Sequence, residues 1–552
     1  MPAASGRLLT HQLLVIGTGL GGLRAALEAS QSCQVAILCR GHPLHSLSPE
    51  DHSGISVALG PGEGDSEQKH ALDTIRGGDY LADQDAVEIM CREGSEHLRE
   101  LEGWGVPFTY TYLLDGASFP RGRYTAGRTG YHLRRVLWEQ ALKRGVKLYE
   151  EWLPVSLIID NGVCIGLVAL EARTGELKAF ASSAVIIATG GLGRIYGLST
   201  NPYISAGNGL ALAYEAGLPL KDMEFIQFHP TVLHGTNIPI FEEARGAGGH
   251  LLNAQGERFM ARYAPEAMEL APRDVLARAI QKEIDEGRAF PEACVHLELR
   301  GIGADLPDLR QSLLEIAQLD PLEAPLPVRP AQHYSLGGIA ADADGQTGVP
   351  GILAVGECAC LNAHGANLLG GNALLDELVF GRRAGKAAAS YILSCPHPSR
   401  ASRPRLEALK SEEERVNALL KREKGVPGYL IERELKEVMA EKAGIFRREE
   451  LLKEALKEIE GLRERYQSVI LYGDQTLADV LELGGMLILA EAILIGALAR
   501  QESRGTHYRL DFPHRDDARW LKHIVLHYVD SQTHLSYKDV KGNGANSVFV
   551  VI

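Results

Sequence analysis

Two glycine-rich stretches, Gly17–Gly22 and Gly337–Arg382, constrain this chain more than anything else in it. The first, Gly17-Thr18-Gly19-Leu20-Gly21-Gly22, follows the apolar run Leu13-Leu14-Val15-Ile16 and leads into a helix expected over Leu23–Ala29. The second holds an expected strand, Gly351–Val355, an acidic turn, Gly356-Glu357, and a polar loop, His364-Gly365-Ala366-Asn367. Gly370-Gly371-Asn372 then opens a helix. Gly, Asn and His between a strand and a helix N-terminus suit a backbone pressed against a flat polar ligand. One ligand held by both stretches folds the chain back on itself.

The strand–turn–helix setting of Gly17–Gly22 is that of a dinucleotide fingerprint. Its first glycine makes the turn, the second lets the backbone meet a pyrophosphate, and the third lets helix and strand approach. After the next strand, Val35–Leu38, an acidic residue for the ribose is expected, but Cys39-Arg40 stands there. Three readings of Arg40 are open at this point: a 2′-phosphate contact and hence NADP, a contact to FAD, or a solvated arginine. Val185 to Gly191, with Thr189, reads as a buried strand ending in small residues.

With 552 residues the chain exceeds the size of a single core, so several domains are expected. A net charge of −14 argues against a nucleic-acid groove and against adhesion to anionic lipid. Eight scattered cysteines, with Cys358-Ala359-Cys360 the only close pair, offer no CxxC run for zinc or an iron–sulfur cluster. They read as thiols of a cytoplasmic protein. Met1 to Thr10 lacks the apolar core of a secretory signal. The apolar run Met486–Ala499, interrupted by Glu491, is too short to span a bilayer and reads as a buried helix.

Composition shifts near Thr231, Gln332 and Arg400. Loops, Pro-rich connections and a helix near Asp274–Glu286 suggest an inserted domain, and the charged stretch Arg400–Arg500 has the spacing of a helical bundle. The expected architecture is an α/β, Rossmann-like domain (1–230 and 333–396) split by an inserted α+β capping domain (231–332). A helical domain (397–500) and a small C-terminal domain (501–552) follow.

Longer motifs sharpen this. GGDYLADQDAV (Gly77–Val87), ATGGLGRIY (Ala188–Tyr196), DMEFIQFHPT (Asp222–Thr231) and GERFMARYAPEAMELAPRDVLARAI (Gly256–Ile280) occur in order. QHYSLGGI (Gln332–Ile339), VGECACLNAHGAN (Val355–Asn367), GGNALLDELVFGR (Gly370–Arg382) and ESRGTHYRLDFPHRDD (Glu502–Asp517) follow. With these motifs the chain resembles, over almost its whole length, the flavoprotein subunits of succinate dehydrogenase and fumarate reductase, a family that includes L-aspartate oxidase. The resemblance implies FAD bound along Gly17, Gly19, Leu20, Gly21 and Gly22, and by the segment Arg40–Gly54 with Ser46. It also implies Thr189, Asn208 (where the pattern usually has Asp), Glu357, Asn372, Ala373 and Leu374. Arg40 then becomes an FAD contact.

The resemblance further implies interconversion of an alkane and an alkene beside a carboxylate. Flavin N5 exchanges the hydride, and Arg273 exchanges the proton through Glu242 and Arg245. His229 and His333 match the family's substrate-binding histidines. Three positions depart from the pattern. Leu368 replaces an Arg that grips one substrate carboxylate, and Phe241 replaces a Thr that helps hold the other. Each lost charge-assisted bond costs roughly 1.5–3 kcal/mol. Ser46-Leu47-Ser48 replaces the Ser-His-Thr that carries covalent flavin in respiratory members, with His45 and His52 out of register, so non-covalent FAD is expected.

The expected activity is that of an FAD-dependent subunit acting on a succinate/fumarate-type pair and passing electrons to an iron–sulfur subunit. A membrane, quinone- or thiol-linked subunit beyond it would place the chain on the inner face of a membrane. Alternatives are a flavin reductase or oxidase for another enoate or an amino acid, and a non-catalytic electron-transfer scaffold.

Overall fold

The computed structural model describes residues 7–44, 53–59, 64–302, 306–395 and 403–540. At its centre is a five-stranded parallel sheet in the order Ile352–Ala354, Ala184–Ile187, Leu13–Ile16, Val35–Cys39, Lys147–Glu150. The first four strands are short and wholly buried, as parallel strands covered on both faces must be, and only the edge strand Lys147–Glu150 is partly exposed. The chain order of the sheet unites the two glycine-rich stretches: the strand of the first lies one strand away from the strand of the second.

The helix after the first strand begins at Leu20, earlier than expected, because Gly19 with extended backbone serves as its N-cap. It runs Leu20–Ala29 and packs along the long helix Asn372–Ser394. The crossing is close: a Cβ on Gly385 would lie 2.5 Å from the Ala25 carbonyl oxygen. Gly371 caps the long helix at φ +78°, and a side chain there would meet the Ser56 backbone.

An antiparallel meander, Trp152–Asp160, Val163–Glu171 and Leu177–Ala181, is edged by Leu8–Thr10. The inserted region is more regular than its loop-rich sequence suggests. Four antiparallel strands, Ile226–Leu233, Leu326–Ser335, Val295–Glu298 and His250–Leu252, form one sheet. Helix Arg273–Asp285 packs on it, and Leu251, Leu276, Ile280, Val295 and Val328 lie in a core of their own. The inner strand Leu326–Ser335 carries the chain back toward the parallel sheet strand Ile352–Ala354.

Helices Arg403–Leu420, Gly428–Lys442, Glu449–Tyr466 and Leu477–Ala499 follow. The last is longer than the apolar run that announced it. Thr476 and Asp479 close a capping box, so the helix starts nine residues upstream of Met486 (486 − 477). Its 23 residues are long and apolar enough to cross a membrane, contrary to the expectation from the run alone, but 72% of its apolar window is buried within the protein. Leu483 and Leu487 share a core with Leu435 and Met439 and with Leu14 and Val185 of the parallel sheet. The C-terminal hairpin, Lys522–Val529 and Gln532–Asp539, extends a sheet through Leu220–Lys221 to Gly338–Ala340.

Candidate active site

A cleft of about 1200 Å³ lies at the carboxyl ends of the parallel strands, where open α/β sheets bind ligands. Gly17, Gly19, Leu20 and Arg40 line it on one side, and Thr189, Asn208, Glu357 and Leu374 on the other. Gly17 has φ +113°, and a Cβ there would sit 2.0 Å from the Ala188 carbonyl oxygen. A Cβ on Gly191 would lie 2.1 Å from Glu357 Oε1, while Oε1 accepts from the Ser335 N–H at 2.8 Å. The glycines therefore leave a backbone cradle, with a carboxylate at its far wall, that fits the pyrophosphate and hydroxyls of a dinucleotide.

Other residues expected at the cofactor stand behind this lining. The Gly21 N–H donates to Glu377 Oε2 at 3.1 Å, and a Cβ on Gly22 would meet the Gly17 carbonyl oxygen at 2.5 Å. Asn372 is tied to His70 at 2.9 Å and to Thr74 at 3.0 Å. Ala373 packs in an apolar cluster with Leu368, Phe225 and Tyr334, and Gly54 abuts the Tyr124 ring. Ser46, with His45 and His52, lies outside the described residues.

Arg40 is the informative case. Its guanidinium faces Asp479 and Glu482 of the helix Leu477–Ala499, each at 3.3 Å. Arg194 reaches Glu482 at 3.1 Å and Glu432 at 2.8 Å. With two carboxylates on it, Arg40 is poorly suited to a 2′-phosphate. The sequence held no signal for Glu482, because its partners are distant in the chain.

Beside that cleft lies a buried cluster of side chains around His229 and His333, on two paired strands of the inserted sheet. His229 lies on Ile226–Leu233 between two register irregularities, at Gln227/Phe228 and His229/Val232, and His333 lies on the neighbouring strand. Bulges of this kind re-aim side chains at active sites. The two rings are 5.0 Å apart, edge to face, and Phe241 stands 5.3 Å from one and 6.0 Å from the other. His229 Nδ1 accepts the Thr231 N–H at 3.3 Å, which leaves the proton of the neutral ring on Nε2. Nε2 is buried without a hydrogen-bond partner. Burial, then the charges of His333, Arg273 and Arg245, hold this imidazole well below its ordinary pKa, so it is a neutral donor.

Beside the histidines runs a buried chain of charges. Glu242 and Arg245 share one face of the short helix Glu242–Gly246, three residues apart. Arg273 opens the helix Arg273–Asp285, at the end where the macrodipole opposes a cation. Its Nε donates to Glu242 Oε1 at 2.5 Å and its Nη1 to Gln227 Oε1 at 3.0 Å. Arg245 Nη2 lies 3.6 Å from the same Glu242 oxygen and pairs closely with Asp115, while its Nη1 donates to Thr231 Oγ1 at 2.7 Å. Burial pushes the Glu242 carboxyl up, but Arg273 and Arg245 outweigh it and hold it below the usual range. For Asp115 burial wins over Arg245, and its pKa is raised. Asp115 and Gln227 were not singled out in the sequence; only their partners mark them.

Leu368 is buried in the apolar cluster with Phe225, Tyr334 and Ala373, and its carbonyl accepts from Gln227 Nε2 at 2.8 Å.

A family model described as an FAD binding domain matches residues 12–374, and one described as fumarate reductase flavoprotein C-term matches 432–546. The fumarate reductase flavoprotein subunit of Mycobacterium tuberculosis is 40% identical over 94% of this chain and 94% of its own. The mitochondrial succinate dehydrogenase [ubiquinone] flavoprotein subunit of Oryza sativa is 36% identical over 98% of this chain and 91% of its own. A FrdA variant of E. coli quinol fumarate reductase superposes with a TM-score of 0.92 at 32% identity, covering 98% of this chain and 99% of that one. The cradle and the fold thus define an FAD-dependent oxidoreductase. The chain belongs to the family of succinate dehydrogenase and fumarate reductase flavoprotein subunits.

Proposed function

We propose that this flavoprotein interconverts a 2-enoate and its saturated acid, with Arg273 exchanging the proton. The observation that carries the reading is the unbroken buried chain Arg273–Glu242–Arg245–Asp115 beside His229 and His333. FAD, when bound, supplies the hydride chemistry. His229 Nε2–H and His333 orient the substrate carboxylate. Arginine is a poor acid in water. In this site Arg273 is dehydrated, sits at a helix N-terminus, and is refilled along Glu242 and Arg245. A charged set of this kind is costly to bury without a use.

The grip on the substrate differs from a dicarboxylate clamp. Leu368 and Phe241 offer no charge-assisted bond, which supports a substrate with a single carboxylate over fumarate. We further propose that the FAD is non-covalent, so acid precipitation releases it into solution. Electrons are proposed to come from or pass to an iron–sulfur subunit, a reading supported by the relatives' being flavoprotein subunits. That partner, and a membrane or quinone-linked subunit beyond it, would hold the chain peripherally at a membrane.

The test is anaerobic. The flavin is photoreduced, an enoate is added, and reoxidation is followed at the flavin band. Reoxidation by crotonate supports the reading. Reoxidation by no enoate, with flavin fully loaded, refutes it and favours the electron-transfer scaffold.

A further inference from the structure

Phe241 has a second neighbourhood. Away from the histidines it lines an apolar pocket of about 710 Å³ between the inserted region and the strands Phe108–Tyr112 and Gly122–Thr125. Tyr112 and Tyr124 form one wall, their rings edge to face at 5.3 Å. Ile238, Leu309 and Leu313 form the other, and Ile316, 60% exposed, stands at the mouth. One charged-type side chain enters this space, Glu243, next in sequence to Glu242.

Glu243 Oε2 is sealed from solvent and has no hydrogen-bond partner. A sealed polar atom without a partner is costly, and in native structures such an atom calls for an explanation. Burial, with smaller pushes from Glu242 and Asp115, outweighs the residue's own backbone N–H and Arg245 and raises the carboxyl's pKa to about 8. At neutral pH it is a protonated donor whose Oε2 meets no partner. The same short helix therefore turns Glu242 toward the proton chain and Glu243 toward an apolar pocket, and Phe241 divides the two spaces.

We propose that this pocket receives the apolar β-substituent of a monocarboxylate 2-enoate, an aryl or branched alkyl group, and that Glu243 donates a hydrogen bond to an acceptor carried at its far end. The proposal rests on the enoate reading above and names the substrate class for that site. The substituent would enter past Phe241, the side chain that touches both the histidines and this pocket. The lost clamp and the added pocket then have one cause: the second carboxylate is replaced by an apolar group. In the reaction the carbon–carbon π bond is lost and two C–H bonds form. One takes a hydride from reduced FAD, which is oxidised, and the other takes a proton from Arg273.

The experiment uses the FAD-loaded full chain, with dithionite-reduced protein for turnover and oxidised protein for calorimetric binding. Substrates are fumarate, crotonate, cinnamate and 4-methoxycinnamate; the binding probe is 3-(4-methoxyphenyl)propanoate. The expected result is a kcat/KM for 4-methoxycinnamate roughly ten-fold or more above that for fumarate, the scale of one hydrogen bond plus aryl burial. Glu243→Leu and Ile316→Glu should each weaken the aryl acids about ten-fold and leave crotonate unchanged. Ile316→Glu lies at the exposed mouth, so it keeps the test open if Glu243→Leu fails to fold. Preference for fumarate, or variants that change crotonate and aryl acids alike, overturns the pocket and leaves the enoate reading standing. Tight, variant-sensitive binding of the aryl probe with no turnover of any enoate keeps the pocket and removes the enoate reading. Failure of the aryl acids both to bind and to turn over overturns the pocket.

Discussion

The Nε of Arg273 donates to Oε1 of Glu242 at 2.5 Å, in a place where both side chains are almost fully removed from water. The arginine begins one helix and the glutamate another, 31 residues apart in sequence. In the proposed mechanism this contact refills Arg273 before it hands the proton to the substrate.

Glu242→Gln should separate its two roles. Neutralising the carboxyl leaves Arg273 and Arg245 buried beside each other, which costs on the order of 3–5 kcal/mol when a buried pair is broken. The expected outcome is a lower Tm together with a fall in turnover of about a hundred-fold. Differential scanning calorimetry and stopped-flow reoxidation of the same preparation check both.

Gly191→Ala should act on the cofactor. The added methyl falls 2.1 Å from Glu357 Oε1 and forces that carboxylate out of position. The variant should fold and lose FAD on dialysis under conditions where the native protein retains it. The ratio of flavin to protein absorbance reads the result directly.

The clamp can be rebuilt. Phe241→Thr with Leu368→Arg restores the two side chains that the family pattern places at the dicarboxylate, and fumarate affinity should rise about ten- to hundred-fold. Leu368→Arg alone should destabilise the protein, because it places a cation in the apolar cluster of Phe225, Tyr334 and Ala373. Flavin spectral titration with fumarate, and thermal melts of the single and double variants, test the pair.

The Glu243 carboxyl predicts a pH dependence of stability. Its pKa is raised on folding to about 8, from an ordinary value of 4.5, so the folded state holds the proton more tightly than the unfolded chain. Its contribution is fully present below the unfolded pKa, is eroded as pH rises toward 8, and levels off above. Glu243→Gln, which stays neutral, should therefore raise Tm relative to the native protein at pH 9 more than at pH 5. Melts at the two pH values give the comparison.

What could be read in sequence was whatever is local. The strand, turn and helix around Gly17 are contiguous, and so are the turn at Glu357 and the helix after Gly371. The proton chain is legible only through resemblance, because Glu242 and Arg273 become neighbours through the packing of two helices. Asp115 and Gln227 carried no signal, since their meaning lies in Arg245 and Arg273. The start of the helix Leu477–Ala499 was hidden by Asp479 and Glu482, charges that interrupt the apolar pattern. Their partners, Arg40 and Arg194, come from the distant cofactor region. Glu243 carried no reading in the sequence, and only the fold shows it entering an apolar space.

The central claim is that Arg273 delivers the proton. The most direct measurement is the rate of anaerobic flavin reoxidation by an enoate in the native protein, in Arg273→Lys and in Arg273→Ala, each checked for full FAD content. A loss of about 10²–10⁴-fold is expected in both variants, with photoreduction of the flavin unchanged. Reoxidation at the native rate in either variant would contradict it.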